Sequence, residues 1–405
     1  MIFGNTAERK NTMLSEQALL YGNQSSAIRT LFEYGRKRAA VVGRDKICDF
    51  SLGNPSVPPP QALFDAFEAT LKADPMDTHG YTSAVGCDEL RAALAESLMR
   101  RFGMALKPEN FFITAGCAAA LTACFCALTP DRETEFIALA PYFPEYKVYS
   151  ETLGAHLRVV PADEKEFQID FDALEKTINK NTRGVVINSP NNPSGVVYTR
   201  ETLGKLAELL RRKSSEVGHP IFLISDEPYR ELVYGGAAVT FVPSVYENTL
   251  VCYSWSKCLS MPGDRLGYVL VPEQVTEWRS VFAAIAGASR MIGHVCAPSV
   301  VQKAVARCVD ARPDLTVYER NRNLLLEALP AMGYECAKPD GAFYLFFRSP
   351  RGSGNDFSEE AKAKDLLVVP AVTFGCPNHL RIAYCVDTAV VERSLPIFME
   401  LMEGK

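Results

Sequence analysis

The sequence predicts an α/β protein: a large domain on a mostly parallel sheet covered by helices, then a smaller α+β domain. Three observations predict it. Short apolar runs without polar alternation (FFIT, EFIALA, GVVIN, IFLIS, TLVCYS and LGYVLV) recur between residues 111 and 271, as strands buried on both faces do. Helix-like stretches such as Leu203–Val217 and Gln274–Ala286 fall between some of them, the alternation a covered parallel sheet requires. From about residue 300 the order changes: helices at Val300–Val309 and Leu315–Leu329 lead into GAFYLFF, DLLVVPA and HLRIAYC, then a closing helix.

Taken in order, the chain opens on the polar stretch MIFGNTAERKNTML, which has no apolar segment long enough for a signal peptide. Gln61–Ala73 reads as a helix with Pro60 at its first position, where a missing N–H costs nothing. Asp88–Phe102 places Leu90, Leu94, Leu98 and Phe102 on one helical face. Residues 111–130, FFITAGCAAALTACFCALTP, carry no charge. Gly116 divides them into a short strand and a helix too short to cross a bilayer. Ser349–Asn355 reads as an exposed loop. The expected division is 1–60 for an N-terminal arm and part of the small domain, 61–300 for the large domain, and 301–405 for the small one.

Composition bounds the function. The chain has 405 residues, 47% hydrophobic and 22% charged, with net charge −5. That is ordinary for a globular protein and gives no basic field for nucleic acid. Arg36-Lys37-Arg38 and Arg211-Arg212-Lys213 read as solvated helix faces. The twelve cysteines are scattered, which suits reduced thiols in a cytoplasm better than a disulfide scaffold. Cys124 and Cys126 point to different sides of a helix, and no paired CxxC or HExxH accompanies them, so no metal site is expected.

Ligands of open α/β sheets gather at the carboxyl ends of the strands. FFIT ends before Gly116, EFIALA before Phe143, and GVVIN before Asn191 and Asn192. IFLIS ends before Asp226 and Tyr229, and TLVCYS before Lys257. Each has an ordinary reading: packing glycine, core aromatic, helix cap, surface lysine. Together they suit one ligand. A glycine opening a helix offers N–H groups to a phosphate, and Arg265 with the hydroxyls of Ser254 and Ser256 would hold it from another side. Asp226 would keep a heteroaromatic nitrogen protonated. Tyr229 and Asn192 would donate to a phenolate, and Phe143 would stack on the ring. Lys257 would form a Schiff base with an aldehyde. Together these groups match a phosphorylated pyridine that carries an aldehyde and a 3-hydroxyl.

The chain resembles the class I/II aminotransferases that depend on pyridoxal phosphate, of fold type I. The resemblance rests on SLGNPS (51–56), GYTSAVGCDELRAAL (80–94), TAGCAAAL (114–121) and PYFPEY (141–146). It continues through NSPNNPSG (188–195), SDEPYREL (225–232), SWSKCLSMPGDRLGY (254–268) and HLRIAY (379–384). It implies that Lys257 is the Schiff-base lysine and proton shuttle, that Asp226 pairs with the pyridine nitrogen, and that Asn192 and Tyr229 contact the 3-oxygen. It places Gly116, Cys117 and Ala118 at the phosphate, the first two through backbone amides, together with Ser254, Ser256 and Arg265. Tyr81 would reach the phosphate of a neighbouring subunit, which implies a homodimer. Arg381, with Gly53 close by, would take the substrate α-carboxylate, a task suited to a guanidinium fork. Two positions depart from the family: Ala118 replaces a hydroxyl or amide side chain, and Phe143 replaces tryptophan or tyrosine.

The reaction implied moves an amino group between an L-amino acid and a 2-oxo acid. The alternatives are a β-eliminating lyase or decarboxylase on the same fold, and a non-catalytic regulator. The regulator would carry a DNA-binding domain ahead of Ser51, for which the stretch is too short. Arg290 and His294 are the candidates for reading a substrate side chain, each with a solvated surface role as the ordinary reading.

Overall fold

The computed structural model describes residues 14–23 and 26–404; the opening polar stretch, apart from Leu14, lies outside them. Twelve strands are defined among the described residues: β1 Cys48–Asp49, β2 Phe111–Thr114, β3 Glu135–Leu139, β4 His156–Val160, β5 Thr182–Asn188, β6 Phe222–Asp226, β7 Thr249–Ser254, β8 Gly267–Leu270, β9 Tyr344–Arg348, β10 Leu366–Leu367, β11 Val369–Pro370 and β12 His379–Ala383. Seven form one sheet in the order β2-β8-β7-β6-β5-β3-β4. β8 pairs antiparallel with β2 and β7, and the remaining pairs are parallel. A three-stranded antiparallel sheet, β11-β12-β9, stands apart. β1 pairs with β10, tying the start of the chain to its end.

The six apolar runs form six of the seven large-sheet strands because helices cover both faces. Helix Cys117–Ala127 packs against Trp278–Met291 and β7 on one side. Leu203, Leu206 and Leu210 of Arg200–Val217 bury into the other, with Val185, Ile187 and Leu223. β4 escaped the sequence reading because its HLRVV run lies at the sheet edge, with His156, Arg158 and Val159 in solvent. Edge strands commonly carry charge, and Arg158 there pairs with Glu135 at 2.7 Å.

Helix limits follow local capping. Asp88–Phe102 ends at Gly103, whose φ of 70° is left-handed, a conformation glycine adopts freely. Gln61–Leu71 stops two residues short of expectation, and Pro60 is its extended N-cap rather than its first helical residue. Gln274–Glu277 precede helix Trp278–Met291 instead of opening it. In the later region the helices are Ser299–Ala306 and Thr316–Ala331. The loop expected at Ser349–Asn355 ends early, since Ser353 and Asp356 form a capping box that starts helix Gly354–Ala363. Ahead of β1 lie helix Glu16–Asn23, which was not anticipated, and helix Ala27–Val42, which carries the expected helix face at Arg36–Arg38.

Residues 111–130 do split at Gly116 into β2 and a helix, and no helix of the described residues is long and apolar enough to cross a membrane. All twelve cysteines are free thiols. The two basic clusters are ion-paired: Arg36 with Glu33 of its own helix, and Arg38 with Asp365, Arg211 with Glu247 and Arg212 with Glu175 of other segments.

Candidate active site

Strand register brings the polar residues together. Asn188 lies opposite Asp226, and Asp226 opposite Cys252. Ser254 and Thr114 both lie opposite Gly267. The carboxyl ends of β2, β5, β6 and β7 therefore form one floor, and β12 closes it from the small sheet. The cleft between them, about 400 Å³, is lined by Gly53, Asn192, Asp226, Lys257, Arg265 and Arg381 among others.

Lys257 follows β7 in a turn, and its Nζ donates to the Gly53 carbonyl at 2.8 Å. Burial lowers its pKa to about 8; the neighbouring Arg381 and Arg265 push the same way and Cys385 opposes them. Asp226 ends β6. Burial raises its carboxyl to about 6, against two donors that favour the ionised form. These are Tyr146 Oη to Oδ2 at 2.5 Å and Cys117 Sγ to Oδ1 at 3.0 Å.

Arg381 Nη1 donates to Asn192 Oδ1 at 3.0 Å and Nη2 to the Ser51 carbonyl at 2.6 Å. Its guanidinium carbon lies 4.7 Å from the Tyr344 ring centre. Among the described residues no carboxylate pairs with it and its buried Nε has no partner, and burial lowers its pKa. The Asn192 contact fixes that amide, leaving its Nδ2 to donate. Tyr229 shares a 2.9 Å hydrogen bond with the Tyr344 hydroxyl.

Gly116 is the N-cap of helix Cys117–Ala127 at φ 87°. A Cβ there would sit 2.6 Å from Arg265 Nη2, so only glycine allows the arginine to lie across the helix start. Arg265 itself holds φ 54°, a strained setting for a non-glycine residue. Its Nη1 donates to the Pro262 carbonyl at 2.8 Å. Cys117, Ala118, Phe143, Tyr229, Ser254 and Ser256 also line the cleft.

Three expected residues lie elsewhere in the chain. Tyr81 is 96% exposed. Arg290 and His294 are exposed and do not line the cleft. The sequence reading missed Tyr146, Tyr344, the thiol of Cys117 and the N-terminal residues Ser26, Ile28 and Arg29, all but Tyr146 being part of the lining. Tyr146 was within sight: it stands three residues after Phe143, one helical turn away. Tyr344 gave no signal, since it sits in an apolar strand 115 positions from Tyr229.

The set fits a phosphorylated pyridine aldehyde. A helix start and a guanidinium meet at one end, a buried carboxylate lies below, a phenol and an amide lie beside it, and a buried amine of lowered pKa faces them. Gly116 keeps the phosphate end open, and the orphaned Nε of Arg381 awaits an acceptor at the other.

Comparison with known proteins agrees. Residues 45–396 match the model of the family described as aminotransferase class I and II. The aromatic-amino-acid aminotransferase 2 of Thermococcus litoralis is 30% identical over 94% of this chain and 96% of its own. An aspartate aminotransferase of Pyrococcus horikoshii is 30% identical over 98% and 99%. A crystal structure of an aminotransferase from Eubacterium rectale superposes with a TM-score of 0.95 at 52% identity, covering 97% of this chain and 99% of that one.

Proposed function

The chain belongs to the class I and II aminotransferases, and on that premise we propose that Lys257 is its cofactor-linked lysine and proton shuttle. It is a pyridoxal-phosphate-dependent aminotransferase. The eliminating and decarboxylating alternatives are not favoured, since the matched relatives bear aminotransferase names.

The observation that carries the assignment is the buried Nζ of Lys257, hydrogen-bonded to Gly53 in the same cleft as Asp226 and Arg381. Pyridoxal phosphate, when bound, supplies a carbonyl carbon that accepts an amine and a protonated pyridine that draws electrons from the substrate α-carbon. Gly116 and Cys117 backbone amides, Ser254, Ser256 and Arg265 hold the phosphate, with Ala118 at its edge. Asp226 keeps the ring nitrogen protonated; a cation beside it draws its carboxyl back down from about 6. Tyr146 and Cys117 supply donors to the same carboxylate. Phe143 covers the ring face, while Asn192 and Tyr229 hold the 3-oxygen. Arg381, backed by Gly53, takes the α-carboxylate of the substrate in a two-pronged pair. Lys257, with its pKa near 8, would take a proton from the substrate α-carbon and hold it on Nζ for return.

The substrates proposed are an L-amino acid and a 2-oxo acid. A homodimer is supported by Tyr81, and by the exposed apolar side chains of Met76, Met291 and Val295. Twelve free thiols support a cytoplasmic setting. The separate sheets support the division at about residues 60 and 300. The test is borohydride reduction of the pyridoxal-phosphate-loaded enzyme followed by peptide mapping. The reduced adduct is expected on Lys257; an adduct elsewhere overturns the assignment.

A further inference from the structure

Tyr344 belongs to the small sheet, where β9 pairs with β12 and Tyr344 lies opposite Ala383. Its side chain nevertheless reaches the floor built by the large sheet. It is 2% exposed and lines the cleft. Its hydroxyl lies 2.9 Å from that of Tyr229, and the two rings meet edge to face at 5.6 Å. Its ring face lies 4.7 Å from the Arg381 guanidinium carbon. A Cβ added at Gly53 would land on the Tyr344 hydroxyl, so the Gly53 backbone that receives Lys257 is also packed against it.

We propose that Tyr344 is a positioning residue of the reaction: its hydroxyl donates to Tyr229, and its ring backs Arg381. The proposal rests on the reading of Tyr229 and Arg381 given above. Both phenols stay protonated near neutral pH, because burial raises Tyr229 well above its ordinary value and Tyr344 to about 12. One proton lies along the line between the oxygens. If Tyr344 supplies it, the proton of Tyr229 is left to point at the cofactor's 3-oxygen. Accepting a hydrogen bond also strengthens Tyr229 as a donor, since linked hydrogen bonds polarise one another. The ionisable groups around the pair are Arg381, Asp226 and Cys385, with Lys257 beside them. None of these groups bonds the Tyr229 hydroxyl, whose one partner among the described residues is Tyr344.

The test is the pH titration of the visible absorbance of the pyridoxal-phosphate-loaded enzyme, read without turnover. In Tyr344→Phe, a weaker donor at the 3-oxygen stabilises the deprotonated chromophore less. Its apparent pKa is expected to rise by about half a unit to one unit, the size of one lost hydrogen bond. The double variant Tyr229→Phe/Tyr344→Phe is expected to titrate like Tyr229→Phe alone, because the second residue acts through the first. Tyr344→Leu also removes the ring from Arg381, and its KM is expected to rise about tenfold above that of Tyr344→Phe. Gly53→Ala reaches the same contact from the other side and is expected to shift the titration in the same direction.

An unmoved titration in folded Tyr344→Phe, or shifts that add in the double variant, overturns the proposal. If Tyr344→Phe does not fold, an unmoved titration in Gly53→Ala does so instead. Borohydride mapping separates the two failures. An adduct on Lys257 with an unmoved titration sinks only this inference, whereas an adduct elsewhere sinks the reading of the site.

Discussion

Two buried arginines, Arg230 just after β6 and Arg381 in β12, are treated differently. Arg230, 3% exposed, pairs with Glu227, donates to Tyr268 at 3.0 Å and lies 4.5 Å from the Tyr253 ring centre. Burial alone would lower its pKa, but Glu227, Tyr268 and Glu231 outweigh that and hold it well above the ordinary value. Arg381, 1% exposed, has only an amide oxygen and a carbonyl, and burial lowers its pKa. Lys257 shares that condition, with one carbonyl as partner. A buried charge is costly unless paired. Where the chain supplies the counter-charge, the cation belongs to the fold. Where it does not, the cation is kept for a ligand, and the cost is carried for function.

The largest test of this contrast is Lys257→Met. Transamination is expected to fall about 10⁴-fold or more in single-turnover absorbance. The cofactor-free protein at neutral pH should be at least as resistant to urea as the wild type. A large loss of stability would place Lys257 with Arg230 and break the contrast. Arg230→Ala is the counterpart. It leaves Glu227 buried without its partner, and is expected to lower unfolding free energy by about 3–5 kcal/mol in urea. A variant of unchanged stability would refute the structural role.

The pH dependence of Lys257 sharpens the same point. Its folded pKa, about 8, lies below its ordinary 10.5. The neutral form is therefore favoured on folding. The stability associated with it is present above about pH 10.5 and lost as pH falls through about 8. In the cofactor-free protein, wild type relative to Lys257→Met should lose on the order of 3 kcal/mol over that window. A difference independent of pH would mean that the amine is not desolvated.

Arg381→Lys keeps the charge but removes the fork. It is expected to lower kcat/KM about 100-fold while leaving the urea midpoint nearly unchanged. An equal fall in stability would make Arg381 structural. The smallest effect expected is that of Tyr146→Phe. Losing a donor to Asp226 moves that carboxyl further up from about 6. Pyridoxal phosphate should bind about tenfold more weakly by equilibrium dialysis. Unchanged binding would leave Tyr146 as packing alone.

Asp226 and Lys257 were legible because each stands at or just past the end of an apolar run, whereas Arg381, inside strand β12, was reached only through the family resemblance. Asp226 ends β6, and Asn192 and Lys257 lie within one turn of the ends of β5 and β7; a sheet buried on both faces leaves its strand ends as the place for polar residues. Gly116 was legible as the break between strand and helix. Tyr344 was not, because GAFYLFF is an apolar strand in which a tyrosine reads as core, and it is indeed buried. Nor was β4, whose polar edge residues mask it, nor the second role of Cys117, whose thiol turns toward Asp226 while its backbone opens the helix. Whether Arg290 and His294 take part was equally open in the sequence, and the cleft of this chain does not include them.

The sequence by itself determined six of the seven large-sheet strands and the polar groups near their ends, because hydrophobic runs and glycine punctuation act over a few residues. Tertiary structure decided which of those groups meet. Arg381 reaches Asn192 across 189 positions and Tyr344 reaches Tyr229 across 115. Such contacts depend on sheet order, strand register and the docking of the small sheet on the large one. So does the difference between Arg230 and Arg381. Two identical side chains acquire opposite roles from the presence or absence of a carboxylate within reach.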